Sequence, residues 1–180
     1  GPGAAYVGAG LAEAAGASSP VLALTGDNDR QIRGREAIQD ADNGAILGAH
    51  VRESVEPPTP DRAVEAVREA AREAVAGVPG PVHVNLTEDV LDSDTGFDGG
   101  DALPGVDVAY PTTRPAPDDE SLAALADVFR TAERPVVLAG EGVLRAGTAA
   151  ELGDLAAATN VPVVTSMNGK GAVAEDEPYA

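Results

Sequence analysis

The sequence predicts an α/β fold with parallel sheets and flanking helices, divided between parts of two doubly wound domains. Two apolar segments with little polar alternation, Val21–Thr25 and Val136–Ala139, are typical of strands buried on both faces. Helical patterns lie between the strand patterns, which implies crossover connections and parallel pairing. A segment rich in glycine, proline and aspartate separates the two patterns. We therefore expect a first domain over 1–92, a linker over 93–117 and a second domain over 118–180.

The first domain opens on a turn, Gly1-Pro2-Gly3, that leads into a helix of small residues. The glycines let a ligand approach the backbone closely, and the proline stiffens the turn. Free N–H groups at a helix start suit a polar or anionic partner, although a structural turn without a ligand fits the same residues. After the strand that stops at Gly26, we expect a polar loop over 27–34, a weak helix over 36–46 and a short strand over 50–55.

The clearest helix pattern in the chain follows three prolines, with Asp61 as the expected N-cap. Apolar residues at helical spacing predict its buried face: Ala63, Val64, Val67, Ala70, Ala71, Ala74 and Val75. Two i,i+3 ion pairs are expected on the exposed face, Glu65 with Arg68 and Glu69 with Arg72. The helix should end at 77–80, and 81–86 should form the next strand.

The second domain has the pattern of a strand, a loop, a helix and a further strand. Asp118 is the expected N-cap of a leading helix, whose apolar side comprises Leu122, Leu125, Val128 and Phe129. Thr148-x-x-Glu151 predicts a capping box at the start of the second helix. Asn160 should close that helix, and 161–165 should be the next strand.

The composition is strongly acidic. Twelve basic and 30 acidic residues give a net charge of −18, and Lys170 is the only lysine. This charge argues against nucleic acid or an anionic membrane as a partner. The acids are spread along the chain, which favours a solvated acidic surface over an acidic tail and indicates a salt-adapted, halophilic cytoplasmic protein. There is no cysteine for a disulfide or thiolate site, and no signal peptide or membrane-spanning run is visible.

Four short segments occur in a fixed order: GPG at 1–3, GLAEA at 10–14, SSPVLALTG at 18–26 and GREAIQD at 34–40. This order and spacing resembles the thiamine diphosphate-dependent enzymes, most closely the acetolactate synthase large-subunit group. The resemblance implies a parent enzyme that decarboxylates a 2-keto acid and ligates the enamine to a second keto acid, using thiamine diphosphate and Mg²⁺. It also implies that the first domain is the C-terminal part of the pyrimidine-binding domain and the second the N-terminal part of the central Rossmann-like domain.

The resemblance implies two groups of cofactor-binding residues: Gly1, Pro2 and Gly3 in the first domain, and Gly140, Gly142, Ser166, Met167 and Asn168 in the second. The second group lies along FAD in the synthases. Gly140-Glu141-Gly142 is not a dinucleotide fingerprint, because Arg145 stands at the third glycine position. Glu141 also adds bulk and negative charge where a pyrophosphate would pass. FAD, ADP as in the oxalyl-CoA decarboxylases, and an empty site therefore stay open.

Gln39 and Arg52 are the substrate-binding residues that the resemblance implies, at the entrance and mouth of the active site. An arginine is suited to holding a keto-acid carboxylate bidentately. The alternative for Arg52 is a strand-end arginine paired with Glu53 or Glu56. The two histidines, His50 and His83, have no companions at metal-ligand spacing, so we expect structural roles for them.

The resemblance places the glutamate that activates the cofactor upstream of Gly1, and the segment that holds Mg²⁺ and diphosphate downstream of Ala180. No catalytic residue and no metal ligand is therefore expected in this chain, which we interpret as an internal, inactive piece of a longer polypeptide that forms a homodimer or tetramer, with or without a regulatory subunit. Other thiamine diphosphate-dependent decarboxylases or carboligases, of the oxalyl-CoA decarboxylase or glyoxylate carboligase type, and a non-catalytic nucleotide-binding relative remain alternatives. Ile38 and Glu141 are the departures that keep them open.

Overall fold

The computed structural model describes residues 1–93 and 115–180, which group into two compact units. The predicted linker over 93–117 lies almost wholly outside the described residues. Both units combine helices with parallel strand pairs, so the predicted α/β class with parallel sheets is confirmed. Among the described residues, no helix has the length and apolar character needed to cross a bilayer.

The first unit contains four helices and three strands within residues 1–93. In chain order these are α1 Pro2–Gly16, β1 Val21–Asp27, α2 Asn43–Gly48, β2 Ser54–Val55, α3 Pro60–Val75, β3 Pro81–Thr87 and α4 Glu88–Leu91. The strand order is β1-β3-β2, with both outer strands parallel to β3. The carboxyl ends of all three strands therefore meet at one edge of the sheet.

Helices cover both faces of this sheet, because successive side chains of each strand point to opposite faces and apolar side chains occur on both. Val82 and Val84 of β3 are fully buried against the alanine stripe of α3. On the other face, Leu11 of α1 and Leu47 of α2 pack against Ala23 of β1. This is a doubly wound arrangement around a central, almost entirely buried β3.

The loop before α2 differs most from the sequence expectation. A helix was expected over 36–46, but α2 begins only at Asn43. Glu36 and Gln39 have left-handed φ values of 56° and 59°, which a right-handed helix does not contain. Asp42 caps α2 instead, by accepting a hydrogen bond from the Ala45 N–H at 2.8 Å.

The ends and exposed face of α3 also differ from expectation. Its N-cap is Thr59, not Asp61, because Pro60 occupies the first helical position, where a missing N–H is harmless. Glu65 pairs with Arg62 instead of Arg68. The buried face is centred on Ala66, Ala70 and Ala74, so the predicted stripe omitted Ala66. The strand expected over 50–55 is formed only at Ser54–Val55.

The predicted burial of β1 on both faces is wrong within this unit. Helix α3 packs over Val82, Val84 and Leu22, whereas Leu24 is 52% exposed. The strand lies at the edge of the sheet, and α3 is centred on the middle strand, so its cover stops short of Leu24.

The second unit contains, in chain order, α5 Asp119–Thr131, β4 Val137–Ala139, α6 Glu141–Ala146, α7 Ala149–Thr159 and β5 Val163–Thr165, followed by a 3₁₀ turn at Met167–Gly169. Strands β4 and β5 pair in parallel. One face of the pair packs against α7 and the segment after the 3₁₀ turn through Ala156, Ala172 and Val173. The other face is open within this unit, so Leu138 is 71% exposed and the predicted full burial of β4 is wrong.

Helix ends in the second unit confirm two expectations and contradict one. Asp118 caps α5 by accepting the Ser121 N–H at 2.8 Å, and Asn160 ends α7 with a left-handed φ of 52°. The capping box at Thr148 does not form. Its hydroxyl donates to the Val143 carbonyl instead, because α6 ends one residue earlier, at the left-handed Gly147.

Candidate functional site

Polar side chains gather on one face of the first sheet, toward the carboxyl ends of its strands. His83, Asn85 and Thr87 alternate along β3 with buried valines, and each is at most 3% exposed. In the parallel register, Asn85 lies beside Thr25 and Thr87 lies beside Asp27. Ligands of open α/β sheets bind at this edge.

Asn85 is the centre of this polar cluster. Its Oδ1 accepts hydrogen bonds from the Thr25 hydroxyl at 2.8 Å and from Asn43 Nδ2 at 3.0 Å. Its Nδ2 donates to Asp27 Oδ2 and to Glu56 Oε2, both at 2.8 Å. Both N–H groups and the carbonyl oxygen of the Asn85 amide are therefore hydrogen-bonded within the protein.

His83 is fully buried and joins β1 to β2. Its Nε2 lies 2.7 Å from the Thr25 hydroxyl, and its Nδ1 lies 2.8 Å from the Ser54 hydroxyl. The Thr25 hydroxyl donates its hydrogen to Asn85, so its oxygen accepts a hydrogen bond from His83 Nε2–H. Nδ1 of His83 then carries no hydrogen and accepts a hydrogen bond from the Ser54 hydroxyl. The expected structural role of His83 is confirmed.

The burial of His83 should make the free energy of unfolding depend on pH. Burial lowers the pKa of His83 below its ordinary value of 6.5, against the opposing effect of Asp27. The unfolded chain then binds more protons than the folded chain between the two pKa values, so the free energy of unfolding should fall as pH drops below about 6.5. Urea unfolding of the wild type and His83→Gln at several pH values checks this. An equally steep fall in the variant would contradict it.

The predicted turn at Gly1-Pro2-Gly3 lies against the predicted substrate residue. A Cβ on Gly1 would come within 2.7 Å of the Gln39 carbonyl oxygen, so only glycine fits this contact. A Cβ on Gly3 would meet nothing within 4 Å, which leaves the backbone open to a ligand. Helix α1 begins at Pro2, so Gly3 lies in its first turn.

The loop that carries Gln39 is tied at several points. Asn28 Nδ2 donates to the Ile38 carbonyl at 3.1 Å, and Asp40 accepts the Gly34 N–H at 2.7 Å. These bonds hold Ile38 outward, 85% exposed. The left-handed backbone of Gln39 costs on the order of 1 kcal/mol, which the tethers offset.

Two ion pairs anchor the same loop to the segments that directly follow β2 and β3. Arg33 pairs with Glu56 at 2.7 Å, and Arg30 pairs with Asp89 at 2.6 Å. The Arg30 guanidinium lowers the pKa of Asp89 to about 2, so this pair persists well into acid. The loop is therefore a fixed part of the sheet edge.

The Arg52 guanidinium lies at the C-terminal end of α3. Its Nη1 donates to the carbonyls of Glu73, Ala76 and Val78, and its Nη2 pairs with the Glu73 carboxylate at 2.6 Å. The expected pairing with Glu53 or Glu56 is wrong, because the guanidinium closes the end of α3. The substrate-binding role of Arg52 stays a prediction.

Replacing Arg52 by lysine should lower the free energy of unfolding by about 1–2 kcal/mol, because a single ammonium cannot span three carbonyls and a carboxylate. Chemical denaturation checks this. The matched control is Arg62→Lys, whose side chain is 65% exposed and pairs with Glu65 on the surface; it should change stability by less than about 0.5 kcal/mol. Equal effects at both positions would contradict the capping role.

The predicted cofactor residues of the second unit come together at the carboxyl ends of β4 and β5. The Ser166 N–H donates to the Ala139 carbonyl at 2.9 Å, and the Ser166 hydroxyl accepts the Gly169 N–H at 3.1 Å. A Cβ on Gly169 would overlap the Ala139 carbonyl oxygen and lie 2.9 Å from the Gly140 carbonyl carbon. Gly169, which was not among the predicted residues, is thus what lets the two turns touch.

The rest of this edge is open. A Cβ on Gly142 would meet nothing within 4 Å, Met167 is 91% exposed, and Asn168 is also exposed. Glu141 pairs with Arg145 across one turn of α6 at 2.5 Å, so its charge is compensated. Lys170 is exposed and pairs with Glu175.

The sequence interpretation missed Asn43, Asn85, Asp27 and Glu56. The available signal was the alternation in PVHVNLT, where three polar residues share one face of an otherwise apolar strand. Within residues 1–93 and 115–180, no three acidic or histidine side chains are grouped so as to hold a metal ion.

Comparison with known proteins shows what the chain is similar to. Residues 122–180 match the family described as "Thiamine pyrophosphate enzyme, central domain". The chain is 34% identical over 180 residues to the "Probable acetolactate synthase large subunit" of Methanocaldococcus jannaschii, covering all of this chain and 30% of that protein. It is 33% identical over 174 residues to the "Acetolactate synthase" of Mycobacterium leprae, covering 96% of this chain and 27% of that protein. The chain thus spans under a third of the length of these relatives. Residues 122–180 are thus similar to the central domain of thiamine pyrophosphate enzymes, and the chain along its whole length is similar to part of the acetolactate synthase proteins.

Proposed function

We propose that the protein containing this chain is a thiamine diphosphate-dependent acetolactate synthase. It would decarboxylate a 2-keto acid and ligate the resulting two-carbon or longer fragment to a second keto acid. The observation that carries this proposal is the 34% identity to a relative of that name over all 180 residues. The contact between the Gly1 turn and Gln39 supports it, because it joins the predicted cofactor segment to the predicted substrate segment.

The first unit offers a turn that fits part of thiamine diphosphate. Gly3 and Gly26 both have open space where a side chain would stand, so a planar ring can approach the backbone there. When bound, the cofactor's thiazolium supplies an electron sink for decarboxylation. In our proposal Gly1, Pro2 and Gly3 shape the cofactor pocket and Gln39 lines the substrate entrance, while Mg²⁺ is held by residues outside this chain.

The open edge of the second unit is the proposed site for FAD or an adenine nucleotide. Gly140, Gly142, Ser166, Met167 and Asn168 would lie along it. The Glu141–Arg145 pair weakens the electrostatic objection to a pyrophosphate, because the nearest carboxylate is already neutralised. A flavin-free site remains the second candidate, since the Glu141 side chain still occupies space.

We further propose 2-keto acids as the substrates and a cytoplasmic location. The proposed assembly is a homodimer or tetramer, with or without a regulatory subunit.

Helix α1 supports the assembly, since Tyr6 is 87% and Val7 41% exposed on its outer side. A helix that is apolar on both sides is usually covered. Light scattering of the full-length protein tests the assembly, and a monomer would contradict it.

The test of the proposed function is an assay of acetolactate formed from pyruvate by the full-length protein. Omitting thiamine diphosphate, Mg²⁺ or FAD in turn assigns each cofactor. Loss of product without thiamine diphosphate is expected, and loss without FAD would show that the enzyme requires FAD. Release of CO₂ without acetolactate would favour another decarboxylase or carboligase, and no turnover with any 2-keto or acyl-CoA substrate would favour a non-catalytic relative.

The acidic composition leads to a salt prediction. The chain has a net charge of −18 and a single lysine. At low ionic strength its acidic side chains repel one another, and salt screens that repulsion. The melting temperature of the protein should therefore rise by about 5 °C or more between low and multimolar KCl. Sucrose at matched osmolality is the control for preferential exclusion. Equal melting temperatures in low and high KCl would contradict salt adaptation.

A further inference from the structure

Asn85 is linked to both ends of the loop over 28–40. On one side, its amide donates to Asp27 Oδ2, and Asp27 Oδ1 accepts the Asn28 N–H at 2.8 Å. Asn28 in turn holds the Ile38 carbonyl, next to Gln39. On the other side, the Asn85 amide donates to Glu56, whose second oxygen pairs with Arg33.

The same side chain fixes the strand edge beneath the loop. Asn85 Oδ1 accepts from Asn43 Nδ2, which also donates to the Gly26 carbonyl at 3.1 Å. Asn43 is fully buried at the first position of α2. One amide therefore sets the positions of β1, α2 and the loop, and the contact between Gly1 and Gln39 lies at the junction of these elements.

The chemistry at position 85 calls for an amide. Two carboxylates, Asp27 and Glu56, converge on Asn85 Nδ2, and an amide nitrogen has two hydrogens to offer them. An aspartate has the same shape but offers only acceptors at neutral pH. It would set a third carboxylate against the first two in a site where Asp27 is 9% exposed, and such like-charge contacts are strongly unfavourable.

We propose that Asn85 is a positioning residue that holds Gln39 against the Gly1 turn and so sets the affinity for the keto-acid substrate. It does not touch substrate or cofactor in this proposal; it acts through Asp27, Asn28 and Glu56. The assignment of a substrate affinity rests on the proposed function. The control of the loop by Asn85 does not, and the two parts are tested separately.

The structural part is tested by hydrogen exchange, read by mass spectrometry on the full-length protein. Asn85→Asp should speed exchange in peptides from 27–40 by about tenfold or more, with little change in α3. The double variant Asp27→Asn/Asn85→Asp restores one amide–carboxylate pair and should recover much of the protection. Val84→Ala is the matched control: this neighbouring residue faces α3, so its effect should appear in α3 and not selectively in the loop.

If Asn85→Asp does not fold, Asn28→Ala replaces it. This change removes only the partly exposed tether to Ile38, and it should loosen 36–40 without affecting the strands. Unchanged loop exchange in the folded variants, or an equal increase throughout the first unit, would overturn the positioning role.

The functional part is tested by steady-state kinetics with pyruvate. Asn85→Asp should raise KM about tenfold or more with a smaller change in kcat, because misplacement of a binding group by a fraction of an ångström has effects of this size. Val84→Ala should leave KM unchanged. If the loop loosens but KM stays constant in an active enzyme, the link to substrate is wrong. If the wild type neither binds thiamine diphosphate nor turns over a keto acid, the proposed function fails while hydrogen exchange still decides the role of Asn85.

Discussion

Replacing Gly169 by alanine is expected to lower the free energy of unfolding of the second unit by about 3 kcal/mol or more. The added Cβ would overlap the Ala139 carbonyl oxygen and crowd Gly140. Both neighbours are backbone, one at the end of a paired strand and one at a helix N-cap, so neither can give way cheaply. The 3₁₀ turn would have to move away from β4, and the open edge with Ser166 and Asn168 would move with it. Thermal and chemical unfolding of the variant measure the loss.

Gly142→Ala is the matched control for this prediction. Gly142 lies in the first turn of α6 with open space at its Cβ position. Alanine there should be neutral, or more stable by about 0.5–1 kcal/mol, because it lowers the entropy of the unfolded chain. The same substitution should still weaken the binding of a flavin or adenine nucleotide that lies along this backbone. If the two substitutions destabilise the protein to a similar extent, the close contact between the two turns is not the reason that position 169 requires glycine.

Replacing Leu47 by alanine is expected to cost about 2–5 kcal/mol, the range for large-to-small changes in a closed core. Leu47 is fully buried against Ala4, Leu11 and Ala23, and its Cδ2 lies 3.7 Å from the Cβ position of Gly8. Helix α2 has only six residues and depends on such packing, since short helices are marginal alone. Its loss should also release Asn43 from Gly26 and Asn85. Urea unfolding gives the free energy, and exchange of the loop peptides shows the local effect.

Ile46→Ala is the control for Leu47. Ile46 precedes Leu47 in the same helix but is 37% exposed, so its truncation should cost less than about half as much. A loss as large as that of Leu47→Ala would mean that α2 is held by its outer side. That result would contradict the core described for the first unit.

Local patterns in the sequence were sufficient for the central elements of the fold. The apolar run at 81–86 and the stripe of α3 predict β3 and its covering helix within one residue or a few, because burial enforces both periodicities. The ends at Asp118 and Asn160 follow from side chains that act within one helical turn. The helix expected over 36–46 fails because the backbone of Glu36 and Gln39 is set by tethers from Asn28, Asp40 and the sheet, and none of these is visible in a local window.

The candidate site also combines features that are visible in the local sequence with features that depend on contacts between distant residues. Glycine spacing and the resemblance selected Gly1, Gly140 and Ser166. Gly140 and Ser166 directly follow β4 and β5, Gly1 precedes α1, and the role of all three in cofactor binding stays a prediction. The Asn43–Asn85 bond joins residues 42 positions apart, so it depends on the register of β1, β3 and α2 together. The partners of Arg52 were misjudged for the same reason, because the end of α3 is near in space and more than twenty positions away in sequence.

The stoichiometry of pyruvate consumption tests the central claim most directly. The full-length protein would be incubated with pyruvate, thiamine diphosphate and Mg²⁺, and CO₂, acetolactate and acetaldehyde would be measured together. The proposed function predicts one CO₂ and one acetolactate for every two pyruvates consumed, with little acetaldehyde. One CO₂ and one acetaldehyde for each pyruvate would contradict the ligation step, and no consumption of pyruvate would contradict the assignment to acetolactate synthesis.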